Sequence, residues 1–183
     1  MPIIDLAHAT PAQRQQAAQI LHDEFNQARW DYSWSTLEEA EEEVAMLCEE
    51  GHIARAYVDD TGTVLAWVGG LPEYDGKVWE LHPMVVHPEH RAKGLGRLLV
   101  QDLEQQARAR GGLTLMLGTD DTDGMTSLSD TDLYEHLWQK IATIQNYKQH
   151  PFGFYLKLGF IITGVMPDAN GRGKPDIYMS KRL

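Results

Sequence analysis

Apolar positions along the chain recur with two periods, and these mark out the elements. Ile3, Ile4 and Leu6 form a short apolar run that predicts a first strand. Thr10, with Pro11 behind it and Gln13 three residues on, combines a capping box with the proline favoured in a first helical turn. Ala17, Leu21, Phe25 and Ala28, with Ile20 beside them, then keep helical spacing to about residue 28. The segment Arg29–Trp34 breaks that period. Thr36 and Glu39 form a second capping box, opening a helix with Leu37, Ala40, Val44 and Leu47 on one face and Glu38, Glu39, Glu41, Glu42 and Glu43 loading its N-terminal turns. Residues 52–58 and 63–71 are β-rich and flank Asp59-Asp60-Thr61-Gly62, which predicts a hairpin. Residues 77–87 form a third run in which Pro83, lacking a backbone donor, excludes a plain central strand and predicts a bulge or bend.

Leu95, Leu98, Leu99, Leu103 and Ala107 share one helical face, Gly111-Gly112 end that helix, and Leu113–Leu117 is again an apolar strand. Strand, helix and strand in this order predict a right-handed βαβ unit with two parallel strands. Leu133, Leu137, Ile141 and Ile144 predict a helix over 133–146, with Asp130 or Asp132 as its cap. Pro151 is expected to open a further helix through Leu158, which Gly159 stops. Phe160–Val165 and Ile177–Ser180, divided by the polar PDANGRGKP, close the sheet. No repeat, low-complexity tract or linker interrupts the pattern, so a single mixed α/β domain over 1–183 is expected.

The composition agrees with that picture. In 183 residues, 43% hydrophobic and 23% charged, no apolar run approaches the length of a membrane span, so a folded chain that does not enter the membrane is expected. Sixteen Lys and Arg stand against 27 Asp and Glu, and the net charge of −11 argues against duplex nucleic acid as a partner, since that binding depends on neutralising phosphates. The single cysteine cannot form an internal disulfide, and MPIIDLAHATPAQ has no basic region followed by an apolar core, so a cytoplasmic location is expected. Cys48 does not suggest a nucleophile, because its Glu-rich helix would raise the thiol pKa.

The cations are clustered. Arg91, Ala92, Lys93, Gly94, Leu95, Gly96 and Arg97 lie between the Pro83 strand and the long helix. Two glycines spaced by one residue let backbone N–H groups turn inward at the positive end of a helix dipole, and three cations flank them, which makes a cradle for a pyrophosphate. The spacing matches neither a P-loop nor a dinucleotide-binding GxGxxG after the first strand. Glu80 and His82 alternate on one strand and should share a face, where a carboxylate binds an ammonium or takes its proton through a water. His82 is a second candidate base, although a strand histidine beside proline also fits a structural hydrogen-bonding role. Asp121, Asp123 and Glu135 belong to an acid-rich stretch suited to a polycation, with Trp30 and Tyr74 as faces for a sugar ring or ammonium. The spacing of these acids fits neither an EF-hand nor HExxH, so no metal is expected.

R-x-x-G-x-G between a bulged strand and a helix resembles the acetyl-CoA pyrophosphate motif of the GNAT superfamily. WELHPMVV at 79–86, GGLTLMLGTDDTD at 111–123, SDTDLYEH at 129–136, IQNYKQHPFGFYLKLGF at 144–160 and GVMPDANGRGKPDIYMSKR at 164–182 are similar to the aminoglycoside 6′-N-acetyltransferases within it. The resemblance covers about residues 72–183, with a looser match at WDYSWSTLEEA, 30–40. It implies a GNAT-like, mostly antiparallel sheet with one splayed parallel pair and flanking helices, acetyl-CoA as co-substrate, direct transfer to a 6′-amine, and a homodimer. It further implies that the backbone N–H of Met84 receives the thioester carbonyl, that Val85 and Val86 pair with the pantetheine arm, that Asn146 bonds its amides, and that Tyr155 protonates the departing thiolate. A polyamine or other small cationic amine is an alternative acceptor. A CoA-binding relative without catalysis, or an interaction module, is the alternative outside enzymes.

Overall fold

The computed structural model describes residues 2–26 and 33–183, which fall into two compact units, one running to Leu115 and taking in Leu183, the other Met116–Arg182. In the first unit, β1 (Ile3–Asp5), β2 (Ile53–Val58), β3 (Val64–Glu73) and β4 (Val78–Val86) are antiparallel neighbours in that order. Its helices are α1 (Pro11–Phe25), α2 (Leu37–Leu47) and α3 (Leu95–Ala109), and β5 (Thr114–Asp120) begins there. Both capping boxes form as expected: the Thr10 and Thr36 side chains accept from the N–H groups of Gln13 and Glu39, whose own side chains accept in return. Helix α1 ends at Phe25, earlier than its apolar spacing predicts. Asn26 caps it, its amide donating both to the His22 carbonyl at 2.9 Å and to that of Trp34 at 2.7 Å. The hairpin turn closes around Asp59, whose Oδ1 accepts from the N–H groups of Thr61 and Thr63.

The bulge foreseen from Pro83 is present. Val68 pairs with Met84 and Gly70 with Leu81, so Gly69 alone lies opposite His82 and Pro83. The extra residue inverts the alternation of β4. Glu80 pairs with Leu71 and Val85 with Trp67, and Leu71 and Trp67 belong to one apolar cluster with Leu6, Ala17, Leu21, Ala40 and Leu47 from the α1 and α2 side. Glu80 and Val85 therefore point the same way although an odd number of residues separates them, which an unbroken strand forbids. Trp67, fully buried there, satisfies its indole N–H on the Ala17 carbonyl at 2.9 Å. Helix α3 packs on the opposite face of β2, β3 and β4. The chain then returns to start β5 beside the start of β4: Leu113 and Thr114 both donate to the Lys77 carbonyl, at 2.8 and 3.2 Å, as a parallel β-α-β crossover requires.

In the second unit the strands run β5-β7-β6, with β6 (Ile161–Met166) antiparallel to β7 (Asp176–Arg182). The helix expected over 133–146 is reduced to α4 (Leu137–Ala142). Asp132 turns its carboxylate onto the N–H of Tyr134 at 2.9 Å, and His136 at a φ of 54° caps the shortened helix, so local side-chain bonds displace the first turn. Helix α5 (Phe152–Leu156) starts just after Pro151, and Gly159 at a φ of 89° reverses the chain as expected. No helix among the described residues is long and apolar enough to cross a membrane.

Gly69 is the position that admits the bulge: a Cβ there would lie 2.2 Å from the His82 carbonyl oxygen and 2.8 Å from Leu47 Cδ1. Backbone cannot yield as a side-chain tip does. Gly69→Ala is expected to lower the unfolding free energy by about 3 kcal/mol, read from urea denaturation, whereas Gly76→Ala, where a Cβ meets open space and only the positive φ of 74° opposes it, is expected to cost about 1 kcal/mol.

Candidate active site

Within the first unit the bulge directs Glu80 and His82 to the α2 side of β4. Glu80 is half-buried opposite Leu71. His82, with 44% of its side chain exposed, has Nε2 3.9 Å from Glu43 Oε1 and its ring 5.6 Å from that of Trp34. The Trp34 indole in turn donates to Glu43 Oε2 at 3.4 Å and meets Phe25 edge-on at 4.7 Å. Sequence reasoning did not single out Trp34 or Glu43, the two residues that stand beside His82 here. A signal for the second exists: Glu43 follows Ala40 by three residues and precedes Leu47 by four, which is the spacing of the buried stripe of α2 and not of its solvated face. Met84 and Val86 remain half-buried, and Val85 is in the core. Tyr74, at a φ of 49° in the turn between β3 and β4, is 76% exposed. Trp30 lies outside the described residues.

The loop before α3 has the character expected of an anion cradle. Ala92 and Gly94 adopt positive φ, 58° and 87°, so the chain turns twice before the helix. Unlike α1 and α2, α3 has no side-chain cap on its first turn, and a Cβ on Gly94 would meet open space. The leading N–H groups of α3 are thus left for a ligand, with Lys93 and Arg97 exposed beside them. These residues fit the diphosphate of coenzyme A. Arg91 is placed differently from the expectation: its guanidinium is held by Glu24 of α1 and by the Val86 carbonyl, so an anion must share it with a carboxylate. A cleft of about 430 Å³ nearby is lined by Ile20, Asp23, Asn26, His87 and Pro88. His87, Glu89 and His90 also lie within 4.8 Å of one another there, in an exposed turn where His87 Nδ1 already accepts the Glu89 N–H. Cys48, half-buried, has its thiol pushed up mainly by burial, with Asp5 adding to the effect; the direction agrees with the sequence reading but the helix acids are not the cause.

In the second unit Asp121 departs from its expected role. It is fully buried, and its two oxygens accept the N–H groups of Met125 and Thr126 at 2.7 and 2.8 Å. Burial raises its pKa, but the hydrogen bonds outweigh burial and hold the carboxyl below its usual range. This carboxylate builds the loop and does not face solvent. Asn146 is likewise occupied, bonded through both side-chain atoms to the backbone of His150 at 2.7 and 3.0 Å. His150, which sequence reasoning passed over, is buried, accepts the Phe152 N–H at Nδ1 and leaves Nε2–H for the Asp120 carbonyl at 3.0 Å; burial pushes its imidazole pKa down. Asp123 and Glu135 are exposed. Tyr155 is buried with its ring edge-on to Phe154 and Phe160, and burial raises its phenol pKa, so that the group stays protonated at neutral pH.

Asp176 was also unforeseen. Its carboxyl packs against Gly118, where a Cβ would come within 2.7 Å of Oδ2, and Oδ1 is buried without a hydrogen-bond partner among the described residues. Burial first, then the charge of Asp120, push its pKa up to about 6. Because the folded chain keeps this proton while the unfolded chain has lost it, stability falls as pH rises from about 4 to about 6. Asp176→Asn removes that dependence. The difference in melting temperature between wild type and Asp176→Asn should move in favour of the variant across this window and level off above it.

The acetyltransferase (GNAT) family pattern matches residues 14–137. Over its whole length the chain is similar to an aminoglycoside 6′-N-acetyltransferase solved in complex with coenzyme A, at 41% identity and a TM-score of 0.90, covering 97% of that chain. It is similar at 40% identity, a TM-score of 0.89 and the same coverage to the aminoglycoside 6′-N-acetyltransferase from Enterococcus faecium. An aminoglycoside 6′-acetyltransferase type Ii matches at 33% identity and a TM-score of 0.75, again with 100% of this chain and 97% of that one covered. No curated protein matches. With an uncapped helix behind a glycine turn, a bulged β4 and these likenesses over the full chain, the protein belongs to the GNAT family of acetyltransferases.

Proposed function

We propose that the protein transfers the acetyl group of acetyl-CoA directly to the 6′-amine of an aminoglycoside, inactivating the antibiotic in the cytoplasm, with the whole chain acting as one catalytic domain. The observation that carries this reading is the full-length likeness, at 40–41% identity, to enzymes of that activity, one of them solved with coenzyme A. The exposed apolar residues Ile161 and Met166 on β6 favour a homodimer.

The roles follow from what each group has free to offer. The leading amides of α3, with Lys93 and Arg97, hold the pyrophosphate, and Arg91 contributes while shared with Glu24. The backbone of Met84, Val85 and Val86, just past the bulge, pairs with the pantetheine arm, with the Met84 N–H directed at the thioester carbonyl. Acetyl-CoA supplies the activated acyl group. Glu80 anchors the substrate ammonium on the α2 side of β4. The Tyr155 phenol, kept protonated by its burial, gives its proton to the thiolate. Tyr74 in the first unit is exposed and offers a ring face to a sugar or ammonium; in the second unit Asp123 and Glu135 are exposed and offer carboxylates to a polycation, while Asp121 and Asn146 hold loop backbone. The net charge of −11 assists encounter with a polycation, an effect that salt screens.

Thiol release from acetyl-CoA should be seen with kanamycin and other 6′-amino aminoglycosides, and not with 6′-hydroxyl analogues or spermine. Equal rates on the hydroxyl analogues would refute the regiochemistry, and turnover of spermine alone would transfer the assignment to a polyamine. Glu80→Gln is expected to lower kcat/KM for the aminoglycoside about 100-fold while the Kd for acetyl-CoA changes less than about twofold, measured by steady-state kinetics and calorimetry.

A further inference from the structure

Glu43 has a feature that stability does not explain. Its Oε1 is buried with no hydrogen-bond partner among the described residues, while Oε2 accepts from the Trp34 indole at 3.4 Å. A carboxylate oxygen removed from water and left unpaired is destabilising, and it is retained where another group makes use of it. Being buried, Oε1 cannot meet a ligand directly. The group it faces is His82, whose Nε2 lies 3.9 Å away and whose ring lies against Trp34 at 5.6 Å and 40°. Trp34 is itself pinned, by Asn26 at its carbonyl and by Phe25 at its ring.

We propose that Glu43 is a positioning residue for His82, holding its Nε2–H edge so that Nδ1, on the other side of the ring, is presented as the proton acceptor for the substrate amine anchored by Glu80. This deepens the acetyl-transfer reading and rests on it. The substrate ammonium gives one proton to Nδ1. The freed nitrogen lone pair attacks the thioester carbon, a C–N bond forms, and the C–S bond breaks. The second proton on nitrogen is transferred to the departing thiolate sulfur, giving the free thiol, and the proton on His82 passes to water. Glu43 acts by fixing the orientation of the ring, in the manner of a carboxylate behind a catalytic histidine. A histidine that is 44% exposed gains its orientation from these two neighbours, since open solvent imposes none.

The test is a kinetic double-mutant cycle with Glu43→Gln, His82→Asn and the double variant, each first checked for coenzyme A binding by calorimetry. Glu43→Gln is expected to lower kcat about tenfold with the KM for acetyl-CoA within about twofold, and His82→Asn about 100-fold. The double variant should be no slower than His82→Asn alone, because Glu43 acts only through the imidazole. Multiplying effects near 1000-fold, an unchanged kcat for Glu43→Gln, or a change confined to the KM for acetyl-CoA would overturn the proposal. Wild-type enzyme inactive on every aminoglycoside would instead refute the function. In that event the same cycle read by urea unfolding still decides the contact: additive changes in stability eliminate it, and coupling between the two positions retains it.

Discussion

The bulge at His82-Pro83 is the constraint on which the first unit depends. One residue more on β4 than on β3 sets the parity of everything after it. Without it Val85, which pairs with Trp67 in the main core, would share a face with Leu81 and turn toward α3, and Met84 would take its place against α1 and α2. With it, the polar pair Glu80 and His82 and the apolar Val85 lie on the same side of the sheet, so one strand face holds both the candidate site and part of the core. Gly69 makes this geometry possible by having no side chain where the His82 carbonyl and Leu47 crowd in. Pro83 suits the opposite strand because the bulge needs no donor from it. Site and core are thus coupled through one irregularity.

A second organising principle is the unequal treatment of helix starts. Helices α1 and α2 have complete capping boxes that satisfy their first N–H groups internally. Helix α3, as long as α1, begins with Gly94 in a left-handed conformation and has no side chain on its first turn. Leaving those donors without a protein partner forfeits roughly 1 kcal/mol of helix stability. The forfeited capping leaves a positive helix end with Lys93 and Arg97 around it, in a chain that is acidic overall. The opposing energetic requirement is visible at Arg91, which Glu24 holds, so one cation of the cradle is partly neutralised in advance.

Most of the architecture was legible because it is written in local rules. Capping boxes at Thr10 and Thr36, the Asp59 turn, the Pro83 bulge and the Gly159 stop each follow from one or two residues and formed as expected. The helix over 133–146 did not form in full, since apolar spacing cannot weigh the turn that Asp132 makes with the Tyr134 N–H. The geometry of the candidate site was legible where it depends on backbone or on a strand face: Gly94 takes the left-handed turn before an uncapped α3, and Glu80 and His82 share a face. It was not legible where the same side chain suits two uses. Asp121 and Asn146 have the composition of ligands, but both turn onto backbone groups four or five residues further along the chain, closing local loops that residue type alone does not reveal. Glu43 stood in a run of five acids that composition reads as a solvated face, and only its register with Ala40 and Leu47 separates it from its neighbours.

Burial sorts the acids of this chain into builders and reactants, and the sorting criterion is how many donors each one meets. Asp121 is fully buried and meets two backbone N–H groups, so its charge is stabilised and its pKa is held down; such a group is fixed in state and serves the fold. Asp176 is half-buried with its Oδ1 buried and unpaired among the described residues and a second acid nearby, so its pKa rises and between about pH 4 and 6 it holds a proton that the unfolded chain would release. Glu43 stands between them, one oxygen bonded to an indole N–H and the other turned to an imidazole at a distance that a small ring movement closes. A carboxylate satisfied on both oxygens has nothing left to give a neighbour, whereas Asp176 and Glu43 each keep one buried oxygen without a partner among the described residues. What separates the two is the neighbour that the open carboxylate meets: the charge of Asp120 at Asp176, and the imidazole of His82 at Glu43, where the proposed positioning role begins.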